Sequence, residues 1–335
     1  MNFKERLIIA EIGMTHDGSL GQALELTKAA AESGVDAVKY QLHISEAETI
    51  RNAPQPPYFK AEPRYEFFQR TAFNMEQWKE IKKQCEECGV KFIVSPFSIE
   101  AVKVLEEIGV DAIKIPSGEI TNIPYLEYIA HSGIPVIVSS GMSSWEELTE
   151  CVEIFQKEKC NMAILQCTSE YPCPPEAVGL NIIDELMAKY PNVAIGLSDH
   201  SSGIWAAIAA WMKGVTIIEK HFTLSKRMYG PDAKMSMEPE EMQMLCDGIK
   251  NLQKALQNPV DKSCVNQFSD MKKIFQKSIV AIQEIKSGTV LTEDMIGYKK
   301  PGIGLETKYY RDIIGKKVTK DLKFDDIIYK GDIEW

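Results

Sequence analysis

Two hydrophobic rhythms alternate along the first 256 residues. Short β-branched runs recur at Leu7–Glu11, Ala37–Gln41, Lys91–Ser95, Ala112–Pro116, Val136–Ser139, Met162–Gln166, Val193–Ser198 and Thr216–His221. Near-continuous apolar runs of this length read as strands covered on both faces, as in a parallel sheet. Between them lie stretches with apolar residues at helical spacing: Leu20–Ser33, Met75–Cys88, Ile99–Ile108, Ile123–His131, Ser144–Lys157, Leu180–Lys189, Ser202–Met212 and Pro239–Leu256. Gly34, Gly89, Gly109, Gly133 and Gly214 fall just past helix ends, where a left-handed cap is wanted. Eight alternations of strand and helix predict a closed (β/α)8 barrel of the TIM type, an α/β fold. The competing architecture is a doubly wound open sheet. It usually has fewer strands, and no G-x-G-x-x-G follows the first strand here.

The rhythm breaks after Leu256. Residues 257–276 are polar with little pattern and read as a linker. From residue 277 short strands and tight turns take over, in SIVAIQEIKSGTVL, KKPGIGL and GKKVTKDLKFDDII with a small helix between the last two. This reads as a mostly β module over 277–335. A module of about 60 residues is marginal alone, so it is expected to lean on a barrel, its own or a partner's. The Pro-rich, polar segment Asn52–Pro63 reads as a long loop after the second strand, where barrels carry substrate contacts.

Composition narrows the classes. The 335 residues are 44% hydrophobic and 26% charged, which suits a globular chain rather than a disordered one. Forty-eight acidic against 38 basic residues give a net charge of −10, which argues against nucleic acid or an anionic membrane as partner. An anionic substrate must then be met by a few placed lysines. No apolar run approaches the roughly 18 residues of a membrane span. The short run in MNFKERLIIAE meets Glu11 at once, unlike a signal peptide. Of eight scattered cysteines only Cys85 and Cys88 are close, with neither a second pair nor a thioredoxin-like context. Reduced thiols and a cytoplasmic location are expected.

Catalytic groups of such barrels sit at the carboxyl ends of strands. Here nearly every strand ends in polar residues: Glu11, Lys39 with Gln41, Ser95, Lys114 with Ser117 and Glu119, Ser139, Gln166 with Thr168, Ser198 with Asp199 and His200, and Glu219 with His221. A lysine inside a buried strand is costly unless it meets an anion. Lys39 and Lys114, with Ser95, Ser117, Ser139 and Ser198, therefore suggest a phosphate or carboxylate cradle. The alternative is that the lysines snorkel out of the barrel. Four of five histidines follow strands one, two, seven and eight, which are neighbours in a closed barrel; His131 lies on a helix. His200 and His221 suit one divalent ion with open positions, and Mn²⁺, Fe²⁺, Co²⁺ or Zn²⁺ all accept two imidazoles plus oxygens. Glu11, Asp17, Glu119, Asp199 and Asp232 are the carboxylates expected near the mouth. Glu11 and Glu119, placed across from one another by strand order, are the candidates for moving protons or orienting water.

These residues resemble the sialic acid synthase family. The resemblance runs in order through IIAEIGMTHDGSL (8–20), AVKYQ (37–41), FIVSPF (92–97), KIPSGEITNIPYL (114–126), VSSGM (138–142), QCTSEYP (166–172), GLSDHS (196–201), IEKHFTL (218–224), GPDAKMSMEPEE (230–241) and KKPGIGL (299–305). It covers essentially the whole chain, and the 277–335 module resembles the family's antifreeze-like (SAF) domain. The resemblance implies a synthase that condenses phosphoenolpyruvate with an open-chain N-acyl hexosamine such as N-acetylmannosamine. Water is added and phosphate leaves by C–O cleavage. It implies Mn²⁺, or Mg²⁺ or Co²⁺, held by His200 and His221. Lys39, Gln41, Ser95, Lys114, Ser117, Ser139, Ser169 and Ser198 would surround phosphoenolpyruvate. Glu11 and Glu119 would handle protons and water, and Tyr171 and Asp232 would face the sugar. It also implies a domain-swapped homodimer in which the small module brings an arginine to the partner's sugar. Lys300 stands at that position, a point charge in place of a planar fork. Ser169 and Ser95 replace a frequent asparagine and threonine. GPDAKMS and PSGE lie closer to the sialic and legionaminic branches than to the pseudaminic one. The latter two branches would take a 2,4-diacetamido-trideoxyhexose. Two other classes compete: an aldolase with a Schiff base on Lys114, which borohydride would trap, and a non-catalytic sugar- or phosphate-binding protein.

Overall fold

Eight parallel strands close on themselves in chain order. They are β1 (Leu7–Gly13), β2 (Ala37–Leu42), β3 (Lys91–Pro96), β4 (Ala112–Ile115), β5 (Val136–Ser139), β6 (Met162–Cys167), β7 (Ala194–Asp199) and β8 (Ile217–His221). The computed structural model describes residues 1–54 and 61–335, so the long loop expected over 52–63 lies partly outside the described residues. The eight expected helices are all present, at Leu20–Glu32, Met75–Cys88, Ile99–Ile108, Ile123–Ser132, Trp145–Lys157, Leu180–Lys189, Trp205–Met212 and Pro239–Gln257.

Local sequence explains where several of them start. Ser19 and Ser98 accept backbone N–H groups of the first turn, and Asn74 with Gln77 and Ser144 with Glu147 form reciprocal capping boxes. The five glycines expected past helix ends all have positive φ. One helix starts three residues later than its apolar spacing predicts. The Lys220 ammonium takes the carbonyls of Ser201 and Gly203 at 2.6 and 2.9 Å, and so holds that stretch as a turn. Two short helices in the loop after β2, Ser45–Glu48 and Arg64–Thr71, were not legible in the sequence. The second buries Tyr65, Phe67 and Thr71 and has only two turns to show a period.

The apolar residues form two layers. A large one lies between strands and helices. A smaller one fills the bottom of the barrel with Phe3, Leu7, Ile9, Ala37, Ile93, Ala112, Ile137, Ala163, Leu165 and Ile217. The inward lysines expected of β2 and β4 do point inward and are buried, which excludes snorkelling.

The chain divides into two compact units, Met1–Leu256 and Gln257–Trp335. Within the second, the stretch read as a linker carries a 3-10 turn at Asn266–Phe268 and a helix at Ser269–Phe275. Antiparallel strands β9 (Ser278–Ala281) and β10 (Ile296–Lys299), isolated bridges and turns surround a core of Ile279, Ile285, Leu291, Ile313, Val318, Leu322 and Ile328. Among the described residues the cysteines are free, and no helix is long and apolar enough to cross a membrane.

Candidate active site

Strand side chains alternate sides, so residues two apart share a face. Two positions beyond the apolar floor, the barrel interior turns polar on every strand. Ile9 gives way to Glu11, Ala37 to Lys39, Ile93 to Ser95, Ala112 to Lys114, Ile137 to Ser139, Leu165 to Cys167 and Ile217 to Glu219, with Ser198 on β7. Two positions further come Gln41, Phe97, Ser169, His200 and His221. All line one cavity of about 370 Å³ at the carboxyl ends of the strands. Register staggers the layers around the barrel: Glu11 pairs with Lys39 and Ser198 with Glu219 within one layer, but Glu11 also pairs with His221, and Ser95 with Gln41, of the layer above.

An ion cluster forms the floor of this cavity. Lys114 Nζ donates to both oxygens of Glu219 at 2.9 and 3.0 Å. Lys39 Nζ lies 3.1 Å from Glu219 Oε1 and 3.3 Å from Glu11 Oε2. Ser198 donates to Glu219 Oε1 at 2.9 Å and Gln41 Nε2 to Glu11 Oε1 at 2.6 Å. Burial by itself would raise the Glu219 carboxyl, but Lys114 and Lys39 outweigh it and hold it well below the usual range. Burial dominates for Glu11, whose carboxyl is raised despite Lys39. The two lysines diverge for the same reasons. Burial is outweighed at Lys39 by two carboxylates, so it is raised. Burial prevails at Lys114, which has one carboxylate and the Lys39 charge beside it, so it is lowered.

The two imidazoles meet at the rim of this cluster. Their ring centres are 5.4 Å apart. Two imidazoles sharing one ion through nitrogens about 2.1 Å from it leave their centres roughly 5 Å apart. His200 Nδ1 sits 2.9 Å from the Thr168 carbonyl, the outer contact that fixes a ligand imidazole and frees its other nitrogen. His221 Nδ1 is buried without a hydrogen-bond partner, and burial with the neighbouring His200 keeps this ring neutral, the form that binds metal. The residues therefore fit a divalent ion. Among the described residues no third His, Cys, Asp or Glu completes a metal cluster with them, so such an ion would keep positions open to oxygen ligands.

The remaining expected residues separate. Ser117, Ser169, Tyr171 and Asp232 line the cavity. The Tyr171 ring lies 4.2 Å from that of His200, and Asp232 Oδ2 accepts the Met14 N–H at 2.8 Å. Two glycines make room for this. A Cβ on Gly13 would stand 2.5 Å from Asp232 Oδ2, and one on Gly141 would stand 2.6 Å from the hydroxyls of both Ser117 and Ser169. Glu119 is half-buried on the turn Ser117–Glu119, accepts from Asn122 Nδ2 at 2.8 Å and does not line the cavity. Asp199 faces outward into a buried pair with Lys220 at 3.0 Å. Asp17 binds Arg70, and His16 stacks on Phe73 outside the cavity. Lys300 is exposed in the second unit, over the Phe275 ring.

Several lining residues had no assigned role in the sequence. Glu219 had been noted only as a polar strand residue, though it is the shared counter-ion of both lysines; its place two before His221 was the available signal. His43, Cys167, Arg64 and Phe68 also line the cavity. Cys167 lies 4.0 Å from His200 Nδ1. Burial would raise its thiol, but His200 and Lys114 bring it to about 7.

The NeuB family profile matches residues 26–261 and the SAF domain profile residues 276–334. The chain belongs to the NeuB family. It is 37% identical to N,N'-diacetyllegionaminic acid synthase of Campylobacter jejuni, over 97% of this chain and 99% of that protein. It is 35% identical to N-acetylneuraminate-9-phosphate synthase of Homo sapiens, over 96% and 90%. It superposes on the crystal structure of N-acetylneuraminic acid synthetase from Leptospira borgpetersenii with a TM-score of 0.69 and 31% identity, covering 80% of this chain and 90% of that one. The barrel fold, the SAF module and membership of the family of sialic, legionaminic and pseudaminic acid synthases are thereby established.

Within this NeuB-family barrel one further feature bears on chemistry. Five buried side-chain polar atoms lack a hydrogen-bond partner among the described residues. Four of them, Glu11 Oε2, Ser95 Oγ, His221 Nδ1 and Arg64 Nε, belong to residues that line the cavity. Folded proteins satisfy nearly all buried polar atoms, so such a concentration marks where a polar ligand completes the bonding.

Proposed function

We propose that this protein condenses phosphoenolpyruvate with an open-chain N-acyl hexosamine such as N-acetylmannosamine, giving a nonulosonic acid and inorganic phosphate. The observation that carries the reading is the cavity layer in which two buried ammonium groups and a row of hydroxyls face two imidazoles. Each ammonium has three donors. Lys114 uses two on Glu219, and Lys39 forms ion pairs with Glu219 and Glu11, so each keeps a donor for the anion. Ser95, Ser117, Ser139, Ser169 and Ser198 add neutral donors around the phosphate and carboxylate. Tyr171 and Asp232 are left to orient the sugar. Gln41, which the resemblance puts against phosphoenolpyruvate, is moved to the sugar side in this reading, because its amide is turned to Glu11 in the layer above the lysines.

The C3 carbon of phosphoenolpyruvate bonds to the aldehyde carbon, whose oxygen takes up a proton. A water oxygen bonds to C2 and gives up a proton. The bond from C2 to the bridging oxygen then breaks, and phosphate departs with that oxygen. Glu11 is the carboxylate placed for these proton transfers, since burial raises its proton affinity and it touches Lys39 and Gln41. Glu119, off the cavity, acts at most from the rim. His200 and His221 would hold a divalent ion, Mn²⁺ in this reading, which when bound would supply Lewis-acid polarisation of the aldehyde oxygen. In the assembled enzyme, a cytoplasmic homodimer, the second unit of one protomer completes the partner's site and Lys300 meets the N-acyl group.

The similarity to a legionaminic acid synthase keeps a 2,4-diacetamido-trideoxyhexose as the second acceptor reading. One experiment addresses both. Mn²⁺-replete protein is given phosphoenolpyruvate labelled with ¹⁸O at the bridging position and a panel of acceptors, and the mass of product and phosphate is measured. Label in the phosphate is expected with one acceptor class. No phosphate release with any acceptor would refute the proposal.

A further inference from the structure

A hydrogen-bonded chain leads into the cavity from the loop after β2. Glu48 holds His43 Nδ1 with both oxygens, at 2.9 and 3.0 Å. His43 Nε2 lies 3.1 Å from Gln41 Oε1, and Gln41 Nε2 donates to Glu11 Oε1 at 2.6 Å. The His43 ring is sandwiched between Phe68 and Phe97, with ring centres 3.7 and 4.2 Å away and nearly parallel planes. The His43 and Glu48 side chains are each 3% exposed. A ring clamped on both faces and bonded at both nitrogens has one orientation. Among the described residues, Asp232 and His16 also lie within electrostatic reach of this ring.

The direction of these bonds has a consequence. Both ring nitrogens face oxygens, Nδ1 the Glu48 carboxylate and Nε2 the Gln41 amide oxygen, and donation from both leaves Glu48 as the balancing charge. The Gln41 oxygen is then engaged by His43, and its NH₂ is turned toward Glu11. With one ring hydrogen fewer, Nε2 would have to accept. The amide would reverse, and its oxygen would confront a Glu11 carboxylate oxygen across the same 2.6 Å.

We propose that His43, held by Glu48, is a positioning residue that sets the orientation of the Gln41 amide and through it the face that Glu11 and Gln41 present to the acceptor sugar. The proposal deepens the synthase reading and rests on it. Lys114 lies outside the chain, and Lys39 meets it only at Glu11 Oε2, 3.3 Å away, the oxygen that Gln41 does not hold, so the phosphoenolpyruvate side is expected to change little.

The test uses the full-length protein. His43→Phe keeps a flat ring between Phe68 and Phe97 and removes both hydrogen bonds. Glu48→Gln keeps an acceptor at Nδ1 and removes the charge. Each is expected to lower kcat/KM for the acceptor about tenfold or more, with KM for phosphoenolpyruvate within about twofold of wild type. In a Gln41→Leu background the effect of either substitution is expected to vanish, because the amide it orients is gone. The ¹⁵N resonances of the His43 ring should show two protonated nitrogens in wild type and one in Glu48→Gln. Effects that multiply independently with Gln41→Leu would overturn the proposal, as would a singly protonated His43 in wild type. If His43→Phe does not fold, Glu48→Gln carries the same kinetic and spectroscopic readouts. A wild type that binds but never turns over any acceptor would sink the synthase reading instead, and the ring resonances would still decide the chain.

Discussion

Glu219 is the group whose loss the structure makes most informative. Its carboxylate is 4% exposed and neutralises Lys114 at 2.9 Å and Lys39 at 3.1 Å. Glu219→Gln keeps the shape and an acceptor for Ser198 but leaves two buried ammonium groups facing only Glu11. Breaking a buried pair by removing one partner costs about 3–5 kcal/mol. For a unit of this size each kcal/mol lowers Tm by roughly 2–4 °C, so a loss of about 6–20 °C is expected. An added anion should then do what the carboxylate did. Phosphate or phosphoenolpyruvate is expected to raise the Tm of the variant by more than that of wild type. A ligand at 100 times its Kd contributes about 2.7 kcal/mol. The assay is a thermal melt at fixed pH across a phosphate series, with chloride as ionic-strength control. Glu219→Gln melting within about 2 °C of wild type would refute the reasoning on the ion cluster. An equal response of both proteins to phosphate would refute the view that the two ammonium groups receive the anion.

The other expectations are simpler. Lys220 donates to Asp199 and to two loop carbonyls at the base of the His200 turn. Lys220→Met should destabilise by ~3–5 kcal/mol in urea unfolding, and adding Asp199→Asn should recover part of it; an unchanged midpoint would refute the structural role. Burial, with His43 nearby, lowers the His16 imidazole to about 3. A depressed folded value means the stabilisation is full above the ordinary value of 6.5 and is lost as pH falls from there toward about 3. Between pH 7 and 5 this amounts to about 2 kcal/mol. His16→Asn, which keeps an acceptor for the Gly18 N–H, should show a shallower decline, and parallel profiles would count against it. Lys300→Arg should lower KM for the N-acyl acceptor if that position reads the N-acyl group; unchanged KM and kcat would remove it from the site.

Much of the site was legible because a strand has a period of two. Once eight strands are placed, Glu11, Lys39, Ser95, Lys114, Ser139, Ser198 and His221 must share the inner face with the apolar residues two positions before them. The apolar runs determined a parallel sheet covered on both sides, and the eight alternations of strand and helix pointed to its closure as a barrel. The shortness of the same runs argued against a membrane-spanning helix. What sequence order could not decide is which partner each group finds across the barrel. Glu219 lies 105 residues from Lys114, and their pairing exists only because β4 and β8 face one another in the closed ring. Glu119 looked equivalent to Glu11 by strand order, yet it stands beyond the end of β4, where the chain has left the two-residue alternation, and it misses the cavity. Asp199 and Lys220 are polar residues at strand ends like the rest, but each falls between the inward positions of its strand, and they meet on the outer face. Local pattern thus determined which face each side chain takes. Charge balance and the orientation of groups across the cavity arise from pairs distant in sequence, and only the closed barrel brings those together.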